Sequence, residues 1–281
     1  MIRLIADAGA TKTKWALMDS GWEAMDMFRT DGLNPAVMPG SEIESVVRDV
    51  ALRLERIRVD EVFFYGAGCL DQFKEPLVET FRSVLGCEGV EVCSDMLGAA
   101  RALCGHEAGI ACILGTGSNS CLYDGTAIVE NVAPLGYILG DEGSGAVIGR
   151  RFLGDLLKGQ LPQTVGRIFR ERCGHSREDI IRSVYRSTAP SRFLASFMPI
   201  VRECLCEPAV EDLVVDEFCR FLRRNVAAYN PAADNMPVNF MGSVACHFRP
   251  QLLRALGCCG MTAGRIIDDP IPGLIEYHKR K

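Results

Sequence analysis

An α/β fold built from two related halves, the second carrying a mostly helical insertion, is predicted by three features of the sequence. One device occurs twice: Leu4–Met18 (LIADAGATKTKWALM) and Ile110–Tyr123 (IACILGTGSNSCLY) each read as an apolar strand, a small-residue turn and a second strand. Strand-like runs dominate to about residue 125, helical periodicity dominates from 144 to 229, and a strand with a turn returns at 238–243. The length of 281 residues and the hydrophobic share of 48% suffice for two domains.

In chain order, strands are predicted at Arg3–Asp7, Lys14–Met18, Glu61–Tyr65, Val90–Ser94, Gly109–Leu114, Ser118–Tyr123 and Val238–Met241. Helices are predicted at Ser41–Arg56, where Ile43, Val46, Val47, Val50 and Leu54 form one stripe, and at Met96–Cys104, Ser144–Leu157, Glu178–Tyr185 and Ala209–Tyr229. The repeat places a domain boundary near residues 105–109. The turn of each repeated device is made of Gly, Ala, Thr, Ser and Asn. Such residues let the backbone approach a ligand closely, and successive N–H groups in the turn can form a nest for an anion. One nest in each half points to a nucleotide held between two related domains.

Composition excludes several classes. A net charge of −5, with no basic run except the terminal His-Lys-Arg-Lys, argues against nucleic acid as a partner. No apolar stretch reaches the ~18 residues of a membrane span, and the start of the chain reads as a strand rather than a signal peptide. The 13 cysteines form no CxxC pair and sit mostly in apolar runs, so they read as reduced core residues of a cytoplasmic protein. Neither turn is a P-loop or a GxGxxG motif, and no GxSxG elbow exists.

The chemistry-bearing residues cluster at strand ends. Asp7 closes the first strand beside Gly9, Thr11, Lys12 and Thr13; it reads as an acid organising Mg²⁺ through water beside a phosphate, or as an Asx turn residue. Gly115, Thr116, Gly117, Ser118, Asn119 and Ser120 form the second nest. Asp95 follows an apolar strand and opens a helix, where it is either a cap or a general base at the C-terminal end of a strand. Asp141 and Glu142 stand among four glycines just before a helix, a pattern suited to reading hydroxyls of a ligand. Gly242, Ser243, Val244 and Ala245 form a third strand-to-turn junction, and Asn34 in DGLNP either makes its own turn or binds a sugar hydroxyl.

Taken in order, DAGATKT, YGAGC, SDMLGAARAL, GTGSN, GDEGSG and GSVA resemble the N-acetylglucosamine kinase-like branch of the BadF/BadG/BcrA/BcrD ATPase family, within the actin/hexokinase/Hsp70 superfamily. The resemblance runs from Leu4 to about Phe248 and continues in PIPGLIEY at Pro270–Tyr277. It implies two ribonuclease-H-like domains around a nucleotide cleft, at residues 1–107 and 108–268, with residues 269–281 packing back on the first. It also implies ATP and Mg²⁺, with Asp7–Thr13 and Gly115–Asn119 on the phosphates and Gly242–Ala245 at the adenosine. Asn34, Asp95, Thr116, Asn119 and Asp141 would line an amino-sugar pocket, with Asp95 as base. Relatives often carry Gly or Ser where Ala8 and Ala10 stand, and a Trp near the position of Leu135.

The expected function is an ATP-dependent kinase acting on the primary hydroxyl of N-acetylglucosamine or glucosamine. The alternatives are an ATPase that activates a partner enzyme and a non-catalytic sugar sensor. Assembly is left open, with a homodimer as one option.

Overall fold

The computed structural model describes residues 1–9, 12–55, 57–229 and 236–280. Thr11 of the first turn and Arg56, the expected end of the first helix, lie outside the described residues. The chain forms two compact units: unit one is Met1–Glu107 with Gly125–Ala127 and Asp269–Lys281, and unit two is Ala108–Asp124 with Ile128–Asp268.

Unit one holds β1 (Arg3–Ala8), β2 (Lys12–Met18), β3 (Ala24–Asp31), α1 (Gly40–Leu54), β4 (Glu61–Gly66), α2 (Asp71–Leu85), β5 (Gly89–Ser94) and α3 (Asp95–Cys104). Its sheet runs β3-β2-β1-β4-β5. β1 pairs antiparallel with β2 through the first small-residue turn and parallel with β4, which pairs parallel with β5. Helical crossovers are what parallel neighbours require.

Unit two repeats this plan. It begins β6 (Gly109–Leu114), β7 (Ser118–Tyr123), β8 (Ile128–Glu130) and ends its sheet with β9 (Val238–Met241) and β10 (Ala263–Ile267), in the order β10-β9-β6-β7-β8. Read outward from the central strand, both sheets have two successive antiparallel pairings on one side and two successive parallel pairings on the other. This is the ribonuclease-H-like α/β arrangement, present twice. The insertion comprises α4 (Gly136–Leu139), α5 (Gly145–Leu157), α6 (Gln163–Arg172), α7 (Arg177–Arg186), α8 (Pro190–Ala195), α9 (Met198–Glu203) and α10 (Pro208–Phe221). The single helix expected over Ala209–Tyr229 instead widens after Phe221 into a π-helical turn, Leu222–Val226, and tightens into a 3₁₀ turn, Ala227–Tyr229. Next come α11 (Ser243–His247) and α12 (Arg249–Cys258), and then α13 (Ile271–Lys279), which returns to unit one.

Side-chain alternation divides the work of the first sheet. Leu4, Ala6, Trp15, Val62 and Phe64 join a core with Val46, Val47 and Val50 of α1 and Leu77 and Phe81 of α2. Trp15 anchors it, with its ring edge-on to Phe81 and tilted against Phe64, both at 6.2 Å. On the other face, Tyr65 accepts a hydrogen bond from Arg101 of α3 at 2.8 Å and pairs with His278 of α13 at 2.8 Å. Several elements are not found by the sequence reading, three of them for a clear reason. β3 is an edge strand with many exposed positions, α2 contains Pro76, and β10 is only half-buried.

α13 reaches α3 because Gly273 has no side chain. A Cβ there would fall 2.9 Å from the carbonyl carbon of Ala102. Leu274 and Tyr277 are buried, and the Tyr277 ring stacks on His106 at 4.3 Å. Gly273→Val is therefore expected to destabilise unit one by about 1–3 kcal/mol through overpacking. Gly257→Ala, on α12 with open space at the new methyl, should be neutral or stabilising by up to about 1 kcal/mol. Urea denaturation of both variants checks this; equal stabilities would remove the α3–α13 contact from the account.

Candidate functional site

In unit one, β1, β4 and β5 run parallel, so Asp7, Gly66 and Asp95 arrive at the same C-terminal edge of the sheet, where α/β folds place ligands. Gly9 closes the β1–β2 turn by donating to the Lys12 carbonyl at 3.1 Å. Lys12 is exposed. Thr13 is fully buried, and its hydroxyl donates to the Asp31 carbonyl at 3.1 Å, which commits it to the sheet. Asp7 sits opposite Lys14 and Tyr65 in the strand register. Burial pushes its carboxyl up to about 6; Lys14 opposes the shift, and Asp269 and Asp95 add to it. Lys14 and Asp269 form an ion pair at 3.4 Å.

Asp95 is separated from the capping role by its neighbour. Ser94 is the N-cap of α3, its hydroxyl accepting from the Leu97 N–H at 3.2 Å. Asp95 accepts from the Met96 N–H at 2.8 Å through one oxygen, and burial raises its pKa. Asn34 does make its own turn: its Oδ1 accepts from the Ala36 N–H at 3.1 Å. It also packs on the loop after β4, where Gly68 adopts φ +75° and a Cβ would meet Asn34 Cγ at 2.9 Å.

In unit two, the second nest is clamped to a helix start. Gly115 N–H donates to the Gly117 carbonyl at 3.0 Å, and the Gly115 and Thr116 carbonyls accept from Gly145 and Ala146 of α5 at 2.8 and 3.1 Å. Thr116 is exposed, while Ser118 is buried with its hydroxyl donating to the Glu142 carbonyl at 2.8 Å. Asn119 Oδ1 accepts from Ser120 N–H and Asn131 Nδ2, both at 2.9 Å. Asp141 has a left-handed backbone, φ +53°. Burial raises its pKa, with nearby Glu142 adding to the rise and the backbone at Gly136 and Ser118 opposing it. It lies against the nest, since a Cβ on Gly117 would come 2.9 Å from Asp141 Oδ2.

The third turn joins this group. Gly242 has φ +119°, and a Cβ there would stand 2.5 Å from the Leu114 carbonyl oxygen. Ser243 is exposed, whereas Val244 and Ala245 are buried in the core. A cavity of about 100 Å³ opens between Gly115 and Thr116 on one side and Ser243, Val244 and His247 on the other. The two predicted stretches of unit two thus meet around one opening. Sequence reasoning missed Asp269 and Lys14 beside Asp7. The acidic pair Asp268–Asp269 before Pro270 was a visible signal, but only the return of α13 to unit one brings it to β1.

No family model and no curated protein matches the chain. Among solved structures, a candidate N-acetylglucosamine kinase from Porphyromonas gingivalis is 47% identical, with a TM-score of 0.95 and 99% of each chain covered. This chain belongs to the N-acetylglucosamine kinase-like family of sugar kinases, with the actin-like ATPase fold. A candidate N-acetylglucosamine kinase from Chromobacterium violaceum shares the family's fold at 18% identity and a TM-score of 0.75, with 98% of each chain covered. The fold extends to a ROK family glucokinase from Streptomyces griseus, solved with glucose and AMPPNP, at 17% identity and a TM-score of 0.54, with 99% of this chain and 98% of that one covered. Among the described residues no helix is long and apolar enough to cross a membrane.

The raised pKa of Asp7 carries a stability consequence for the unliganded family member. Its folded value of about 6 lies above the ordinary aspartate value of 3.8. The neutral form is favoured on folding, so its contribution is complete below pH ~4 and is lost as pH rises through ~6. Asp7→Asn is expected to gain about 2–3 kcal/mol at pH 7.5 and roughly half that at pH 5, at 1.36 kcal/mol per pKa unit. Urea midpoints of both proteins at the two pH values measure the gain. A gain independent of pH would show that Asp7 is not ionising in a buried setting.

Proposed function

We propose that this chain transfers the γ-phosphoryl group of ATP to the primary hydroxyl of an amino sugar, N-acetylglucosamine or glucosamine. The observation that carries the reading is Asp95: a desolvated carboxylate at the C-terminal end of β5, freed from capping by Ser94. A carboxylate with a raised pKa is a stronger base, and in phosphoryl transfer its task is to accept the proton of the attacking hydroxyl. The sugar oxygen bonds to the γ-phosphorus, the bond to the β-bridging oxygen breaks, ADP leaves, and the proton rests on Asp95.

The rest of the machinery positions and neutralises. The backbone N–H groups of the Gly9–Lys12 and Gly115–Ser118 turns would bind phosphate oxygens. Gly242 and Ser243 would bound the adenosine side of the small cavity, with Val244 and Ala245 holding their turn in the core. Asn34 has spent its Oδ1 on its own turn, so its amide nitrogen would donate to a sugar hydroxyl. Asp141 would accept from hydroxyls, with Thr116 and Asn119 beside it.

Asp7 fits Mg²⁺. It is a buried carboxylate with two further carboxylates in its field and one lysine against it, and a divalent cation would offset the desolvation that raises its pKa. Among the described residues no group of three His, Cys, Asp or Glu could hold a metal by itself, which suits a cation carried by phosphates and water and touched by one or two carboxylates. Bound there, Mg²⁺ would neutralise charge on the phosphates. The identity to the Porphyromonas gingivalis protein supports the amino-sugar acceptor.

A sugar panel read by coupled ADP release tests the reading. N-acetylglucosamine or glucosamine should give the highest kcat/KM, and an analogue lacking the 6-hydroxyl should bind without turnover. ADP release indifferent to sugar would sink the kinase reading. Asp95→Asn should lower kcat by ~10²–10⁴ while the thermal shift with Mg–ATP persists; a near-normal kcat removes Asp95 as base. Gly117→Val should abolish that thermal shift, because its side chain displaces Asp141 and fills the nest.

A further inference from the structure

Unit one contains a second, larger cavity, of about 420 Å³, at the far ends of the same strands. It is lined by Arg3 at the start of β1, Glu61 at the start of β4, and Gly89 and Glu91 of β5. Arg3 lies four residues before Asp7, roughly 13 Å along an extended strand. The volume falls within the ~300–1,000 Å³ of small-molecule sites.

One wall is aromatic, and its geometry is bought with backbone strain. Trp22 has φ +65°, a conformation a bulky residue rarely adopts and that costs ~1–3 kcal/mol. The turn holding it is fixed by Asp19, whose Oδ1 accepts from the Gly21 and Glu23 N–H groups at 2.8 and 2.9 Å. Gly or Asn would suit that turn without strain. Trp22 instead directs an indole over the sheet face, within 10° of the His278 ring plane at 5.9 Å and within 26° of Phe63 at 6.4 Å.

The rim is charged but balanced. Glu61 is held by Arg3 at 2.8 Å, and Glu91 by Arg101 at 2.5 Å. The Arg3 guanidinium also lies 4.3 Å from the Trp22 ring centre. Because each carboxylate has a cationic partner, the cavity has little net pull on an ion. It presents fixed acceptors and donors around an aromatic wall. A pyranose ring is the complementary shape: C–H groups for the aromatic wall of Trp22, Phe63 and His278, and a ring of hydroxyls that each donate and accept.

We propose that this cavity binds a neutral pyranose sugar at a non-catalytic site, separate from the residues assigned to phosphoryl transfer. The proposal does not rest on the kinase reading.

The probe is N-acetylglucosamine, with glucose in parallel. Trp15 is fully buried and Trp22 is partly exposed, so a saturable change in tryptophan emission reports this cavity. Equilibrium dialysis of labelled sugar should lose one equivalent per chain in Trp22→Gly, a change that also relieves the positive φ. Glu61→Ala keeps the fluorophore and should weaken the fluorescence-detected binding at least ~10-fold, about 1.4 kcal/mol. In Asp141→Ala the Trp22 response should persist, and loss of the response there would place it at the other site and overturn the proposal. No saturable Trp22-dependent change with either sugar at millimolar concentrations would overturn it too, whatever the outcome of the ADP-release assay.

Discussion

Each sheet is organised around a central strand, β1 or β6, that must satisfy two different neighbours. One side takes a hairpin partner in antiparallel register, and the other takes a strand delivered by a crossover in parallel. The hairpin partner forces a tight turn at the C-terminal end of the central strand. The parallel partners end at the same edge. That single constraint puts a small-residue turn beside the ends of β4 and β5, or of β9 and β10, in both units. Side chains are then excluded where the backbone must stay open. Gly242 shows this, since any Cβ would collide with the Leu114 carbonyl oxygen at 2.5 Å.

Charge separates the buried carboxylates paired with cations from those proposed for chemistry. Glu217 is fully buried and is held by Arg151 at 2.6 Å and Arg220 at 3.0 Å. Glu142 is paired with Arg224 at 2.7 Å. Burial of such groups is tolerable because each has a cation in contact. Asp7, Asp95 and Asp141 differ: for each, burial is the largest influence and raises the pKa. A folded chain that keeps a carboxylate at this cost without an arginine against it stores free energy that a ligand can release, and raised carboxylate pKa values favour proton acceptance near neutral pH.

The fold was legible in the sequence because its signal is local. The apolar run of β1, the small-residue turn and the run of β2 lie within 15 residues, and the same order recurs at β6 and β7. β3 escaped because an edge strand exposed to water needs no clear alternation, and α2 because Pro76 interrupts an otherwise helical stripe. Residue roles were less legible. Whether Asp95 or Ser94 caps α3 depends on which side chain reaches the Leu97 N–H, and that is Ser94. Thr13 and Ser118 look alike as hydroxyls in small-residue turns, yet both donate inward to backbone carbonyls. Asp269 joins Asp7 only through the return of α13, a contact of 262 residues' separation that no local pattern encodes.

Backbone strain marks where the chain gives up stability to place a side chain. Among the described non-glycine residues with positive φ, Glu55 is the residue at which α1 ends, its N–H donating to the Leu52 carbonyl. Trp22 and Asp141 have no such excuse of position alone. Glycine could make either turn at no steric cost, and at Asp141 the neighbouring chain already contains Gly140 and Gly143. What aspartate adds is a carboxylate set against Gly117; what tryptophan adds is an indole stacked with Phe63 and His278. In both cases the strain is offset by rigid surroundings rather than relieved, so the side chain is already oriented before a ligand arrives. A ligand meeting an oriented group loses less conformational entropy on binding than one that must order a loop, which is the physical return on a residue that destabilises its own turn.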